Sequence, residues 1–196
     1  MRLKTSRGDT IIEVLLAITV FSMVAVGAIA IMNQGTNAAQ RALEITLVRQ
    51  QIDAQAEALR AAQQVAATNG VKDGSIWKNL QTQPQTASSY SDTACPNSRV
   101  DVANAFIIDP RTSKWIDPNS EWLKPISAAD PPYAQVSADN LGKVYSYGMW
   151  IEHRKTSEAL GVPGAYNFTI RACWYGAGLG STPQQLQTIV RLYDPS

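Results

Sequence analysis

Glu13 is the residue whose position most demands chemistry. It stands near the start of a run, Ile11 to Met32, in which every residue is apolar except Glu13, Thr19 and Ser22. An unpaired carboxylate in hydrocarbon costs about 2.5 kcal/mol or more, depending on depth, so an acid there implies a function or a partner. An ammonium group is the natural partner. Arg2, Lys4 and Arg7 precede the run, no acid precedes Asp9, and the next cation is Arg41. Cys95 and Cys173 are the only cysteines. A disulfide between them would close a loop of nearly 80 residues and contribute about 4 kcal/mol in the chain-entropy picture. Two free buried thiols are the alternative.

The other reactive residue types form no catalytic pattern. His153 is the single histidine, beside Arg154 at the end of an expected strand, and reads as a surface or packing residue. No nucleophile elbow surrounds any serine. Gly176-Ala177-Gly178-Leu179-Gly180-Ser181-Thr182 lacks the lysine and following helix of a phosphate loop and reads as a turn. Asn167-Phe168-Thr169 spells a glycosylation triplet inside an expected strand. Trp115, Trp122 and Trp150 invite comparison with a sugar platform, but aromatics in a small sheet more often form core. No cluster has metal-ligand spacing. A non-enzymatic protein with no cofactor and no metal is therefore expected.

The elements that must position these residues follow from where composition changes. The chain has 196 residues and a formal charge of +1. All ten prolines lie at or after Pro84, and Phe21 is the only aromatic before Trp77. Ile11 to Met32 spans roughly 33 Å as a helix, enough for a hydrocarbon core of about 30 Å. With the cations ahead of it, the start stays in the cytoplasm and the remainder is exported. Residues 33–69 have no proline, no aromatic and one glycine, Gly35. Ile45, Val48, Ile52, Leu59, Ala62 and Ala66 recur at helical spacing. One helix is predicted from about residue 10 to about 68, ending at Asn69-Gly70. Its second half is amphipathic, and Gln55 in the seam favours packing on a globular head over a coiled coil.

Three readings account for the start. An ordinary signal peptide has a shorter apolar core, about 7–15 residues, although Ala28-Ile29-Ala30 offers a small-residue site. A plain membrane anchor leaves Glu13 without a purpose. The third reading explains both the basic leader and the acid. Arg7-Gly8-Asp9-Thr10-Ile11-Ile12-Glu13-Val14-Leu15-Leu16-Ala17-Ile18 resembles the N-terminal signature of type IV prepilins and the related pseudopilins. The resemblance covers about residues 7–21. It implies a leader at residues 1–8, cleaved between Gly8 and Asp9 by a prepilin peptidase, and Glu13 as the fifth mature residue. It implies filament assembly through Glu13, whose carboxylate pairs with the new N-terminal amine of a neighbouring subunit. It also implies N-methylation of the first mature residue, here Asp9, where the family usually has Phe. Asp9 and Glu13 are i,i+4 neighbours, two acids for one amine. Many major pilins have a proline in the second half of this helix; here only Gly27 and Gly35 are candidate weak points.

Residues 70–196 are expected to form the extracytoplasmic head. They hold eleven Lys/Arg and eleven Asp/Glu, which argues against a generally basic, nucleic-acid-gripping surface. Ser75 to Leu80 reads as a short capped helix, and residues 81–99 as loop. Ala105–Asp109 and Lys114–Ile116 flank a turn and read as a hairpin. Residues 117–132 read as proline-punctuated loop. Further strands are expected at Val144–His153, with Tyr145, Tyr147, Met149 and Ile151 on one face, at Phe168–Trp174 and at Leu186–Tyr193. A long helix packed on a small antiparallel sheet is an α+β architecture, which the pilin resemblance also implies. The family's usual disulfide closes a short C-terminal loop, unlike a Cys95–Cys173 pair.

The expected organisation is thus a leader at 1–8, a transmembrane and assembly half-helix at 9–32, an amphipathic half-helix at 33–69 and a head at 70–196. The expected function is that of a structural subunit of a type IV pilus-like filament, supporting adhesion, motility or uptake. The alternatives are a pseudopilin of a type II secretion or DNA-uptake system, and a membrane-anchored or secreted binding domain or enzyme. The expected partners are other pilin subunits, the prepilin peptidase, the assembly machinery and the membrane. The precursor is expected in the cytoplasmic membrane with its head outside, and the assembled subunit on the cell surface.

Overall fold

The computed structural model describes residues 9–86, 93–116, 119–126, 132–156, 164–176 and 182–195. The chain is α+β: a long N-terminal helix precedes a small β-rich head. It separates into two units, Met1–Arg41 and Ala42–Ser196. Helix α1 covers Asp9–Asn69 without interruption, as the absence of proline predicts. In the first unit its large apolar side chains face outward, from Ile11 to Met32. Gly27 and Gly35 leave it unbroken.

In the second unit α1 lies against the head. Val48, Ile52, Leu59 and Ala66 are buried, while Ile45 and Ala62 are partly covered. This is the predicted stripe. Burying a Val, Ile or Leu side chain is worth about 1.5–3 kcal/mol. Polar side chains on the helix fasten it in register. Gln55 is fully buried; its Nε2 donates to the Ile108 carbonyl at 2.7 Å and its Oε1 accepts the Ile108 N–H at 3.0 Å. Gln51 Oε1 accepts the Val136 N–H, and Gln63 Nε2 donates to the Tyr193 carbonyl. Glu44 accepts the Trp174 indole N–H at 3.2 Å. Removing Gln55 would orphan both Ile108 groups, at about 1–3 kcal/mol each.

Gly70, at φ 73°, turns the chain out of α1. A connector leads to α2, Ile76–Thr82, capped by the Ser75 hydroxyl as predicted. Trp77 on α2 meets Tyr166 and Phe168 edge-on, at 5.4 and 6.3 Å between ring centroids. A short 3-10 turn, Arg99–Val102, stands at the end of the segment read as loop. The predicted hairpin forms from β1, Ile107–Asp109, and β2, Lys114–Ile116. Asp109 shapes its turn, accepting the Arg111 N–H at 3.0 Å and the Thr112 hydroxyl at 2.8 Å.

Among the described residues the remaining strands form two sheets. One has the order β3-β5-β4, from Leu123–Lys124, Val144–Tyr147 and Gln135–Ala138. The other is an antiparallel meander, β6-β7-β8, from Met149–Thr156, Ala165–Trp174 and Gln184–Tyr193. The expected strand over 144–153 is two strands. Gly148, at φ 63°, breaks it and passes the chain from one sheet to the other. Val144 and Ser146 are therefore buried before the break, and Tyr145 and Tyr147 are only half-buried. After it, Met149 and Ile151 are buried. The four residues do not share one buried face. Leu123–Lys124, expected as loop, pairs parallel with β5. Two residues ahead of Pro125 are too few to show a period.

Candidate functional site

The sequence-derived site begins at the N-terminus. Gly8 lies outside the described residues. Asp9 is the first residue of α1, and its side chain also lies outside them. Glu13 sits on the second turn and is exposed. The other polar side chains of the apolar run bond to the helix itself. Thr19 Oγ1 donates to the Leu16 carbonyl at 2.8 Å, and Ser22 Oγ to the Ile18 carbonyl at 2.7 Å. A hydroxyl can satisfy itself on its own helix in this way. An ionised carboxylate only accepts and cannot do so. Glu13 makes no hydrogen bond or ion pair among the described residues; in hydrocarbon it would need a donor from outside its own helix. The helix carrying it is long and apolar enough to cross a membrane, and none of its apolar stretch is buried.

Cys95 and Cys173 form a disulfide, with Cα atoms 5.4 Å apart. It ties the chain before the 3-10 turn to β7. The Cys95 N–H also donates to the Tyr175 hydroxyl. Of the tryptophans considered as a platform, Trp122 and Trp150 are buried. Trp115 is half-buried and stacks on Phe106 at 4.1 Å. These rings do not make one open surface. Asn167 and Thr169 lie on the central strand β7. Of the glycine-rich segment, residues 177–181 lie outside the described residues. Among the described residues no group of three His, Cys, Asp or Glu could hold a metal ion.

His153 lies within β6, not at its end, and is buried. Its ring meets Phe106 edge-on, and the Thr86 hydroxyl accepts its backbone N–H at 3.1 Å. Burial pushes its pKa below the usual histidine value of 6.5, partly opposed by the Gln83 carbonyl. Asp109 is also buried. Desolvation works to raise its pKa, but the Arg111 and Thr112 hydrogen bonds and the Arg111 charge outweigh it and hold it below 3.8.

These shifts fix the sign of an acid dependence. The unfolded state binds the His153 proton first as pH falls, so stability is full above about pH 6.5 and drops below it until the folded pKa is reached. The Asp109 contribution is present above its unfolded pKa and is lost at lower pH, as pH falls through the folded value. His153→Gln is expected to abolish the first loss and keep the second. Urea midpoints of both proteins at about pH 7.5 and about pH 5 test this. An equal fall in the variant would assign the loss to another group.

No protein-family model, curated protein or solved structure matches the chain.

Proposed function

We propose that this protein is a structural subunit of a type IV pilus-like filament, cut between Gly8 and Asp9 and assembled by bundling its N-terminal helices. The observation that carries the reading is Glu13: an exposed carboxylate, without a partner among the described residues, in an apolar helix that continues unbroken into a head. The long apolar helix followed by a small β-rich head is compatible with a pilin-like layout.

In this reading the peptidase creates an ammonium group at Asp9 on the cytoplasmic side. Glu13 of one subunit takes the amine of its neighbour as partner. Assembly then satisfies a charge that isolation leaves facing lipid. Because the pair forms in one register only, it sets the stagger between subunits. Loss of the leader removes Arg2, Lys4 and Arg7, leaving fourteen cations against sixteen acids besides the new amine. Partners are copies of this chain or related pilins, the processing peptidase and an assembly machine. The unbroken α1 favours, as a second reading, a pseudopilin of a secretion or DNA-uptake apparatus, since many major pilins place a proline there.

Glu13→Val tests the pairing. The variant is expected to remain in the membrane, because an acid is exchanged for an apolar side chain, and to be absent from sheared filaments. Incorporation at the normal level would refute the role of Glu13.

A further inference from the structure

We propose that the head carries a binding site for a small amphipathic carboxylate, an apolar ring or short chain ending in one anionic group. This inference is independent of the filament reading and concerns a cavity of about 520 Å³ inside the second unit. Its walls are the last turns of α1, the connector to α2, and the β1–β2 hairpin. The volume falls within the roughly 300–1,000 Å³ of small-molecule sites.

The lining dictates the ligand class. Ala62, Val65, Ala66 and Ile76 supply apolar wall, and Trp115 supplies a flat aromatic one. One face of Trp115 is already stacked on Phe106, so the ring is held in place. Val65 is a β-branched apolar residue left 57% exposed beside this hollow. Lys72 and Lys114 are the only charged residues of the lining, and no acid lines the cavity. Neither lysine makes an ion pair among the described residues. In a head with equal numbers of cations and acids this is a local positive surplus. An apolar hollow with two cations and no acid complements a ligand with an apolar body and one negative charge.

The backbone keeps the hollow open. Gly70 and Gly74, at φ 73° and 77°, bracket the connector, and a Cβ at either would meet nothing within 4 Å. Ser113, at φ 51°, is one of two non-glycine residues with positive φ among those described, and it also lines the cavity. Such a conformation costs of order 1 kcal/mol or more and persists where the surroundings enforce it.

The test uses the full-length protein in nonionic micelles, labelled with fluorotryptophan and followed by fluorine NMR. The Trp115 resonance is assigned by its loss in Trp115→Phe. Phenylbutyrate is the charged probe and phenylbutanol its neutral counterpart. The expected result is a saturable shift of the Trp115 resonance with phenylbutyrate, and affinity about tenfold weaker for phenylbutanol. Lys72→Met combined with Lys114→Met is expected to bring the two probes to equal affinity. Val65→Phe, at an exposed helix position, is expected to abolish the response to both. Equal affinity of the wild-type protein for both probes, a non-saturable response, or an undiminished preference in the double lysine variant would overturn the proposal. Both affinities are referred to the probe free in the aqueous phase, measured by dialysis against protein-free micelles, and on that scale the wild-type comparison decides the matter even where a variant folds poorly.

Discussion

Gly148→Ala is expected to destabilise the head by roughly 3–5 kcal/mol, because conformational strain and overpacking act together there. Gly148 adopts φ 63°, where a Cβ is unfavourable. A Cβ built on it would overlap the Cys173 carbonyl oxygen and stand 2.6 Å from Ile126 Cδ1. The first neighbour is backbone of the central strand β7 and cannot swing aside. The Gly148 carbonyl accepts the Cys173 N–H at 2.7 Å, so backing the residue away would break the contact that joins the strand break to β7. Gly142→Ala is the control. Gly142 has φ 80°, but a Cβ there meets nothing within 4 Å, so the cost should stay near about 1 kcal/mol. Urea denaturation of both variants checks the contrast. Equal losses would mean that crowding at Gly148 is unimportant.

Cys95→Ser is expected to cost about 4 kcal/mol, a large share of the roughly 5–15 kcal/mol by which native domains are stable. The two cysteines are 78 residues apart in sequence. Breaking the bond gives the unfolded chain back the freedom of that loop. The loss should appear as a lower denaturation midpoint with little effect on the first half of α1, which lies outside the loop. A midpoint unchanged by the substitution, or by reduction of the wild-type protein, would show that the packing around Cys173 holds without the bond.

Much of the fold was legible because one physical signal dominated each segment. The continuity of α1 follows from the lack of proline before Pro84, and its buried stripe follows from the spacing of Val48, Ile52 and Leu59. Strand β7 alternates cleanly through Phe168, Ile170 and Ala172, each buried. The split at Gly148 was not legible, since alternation runs through it and a single glycine in a strand has several meanings. The β3–β5 pairing rests on two residues and on partners distant in sequence. Gln51 and Gln63 each bond to backbone of the head, and nothing in their spacing announces it. Glutamine reads as polar surface unless its partner is known.

The candidate site was legible in residue type and incomplete in geometry. Glu13 stands out because a carboxylate in an apolar run has few physical justifications. Its proposed partner lies on another subunit and arises only on cleavage, so one chain does not display the pair. The cavity beside Trp115 gave no sequence signal: Val65, Lys72 and Lys114 come together only once Gly70 and Gly74 have turned the chain.

On the proposed filament reading, the leader ends at Gly8 and a free amine at Asp9 begins the assembling subunit. Intact mass and N-terminal sequence of the protein recovered from cell membranes and sheared filaments test it most directly. The expected result is a chain that starts at Asp9, with Glu13 as its fifth residue. An intact Met1, or a start at Ile31 after the small-residue site, would contradict it.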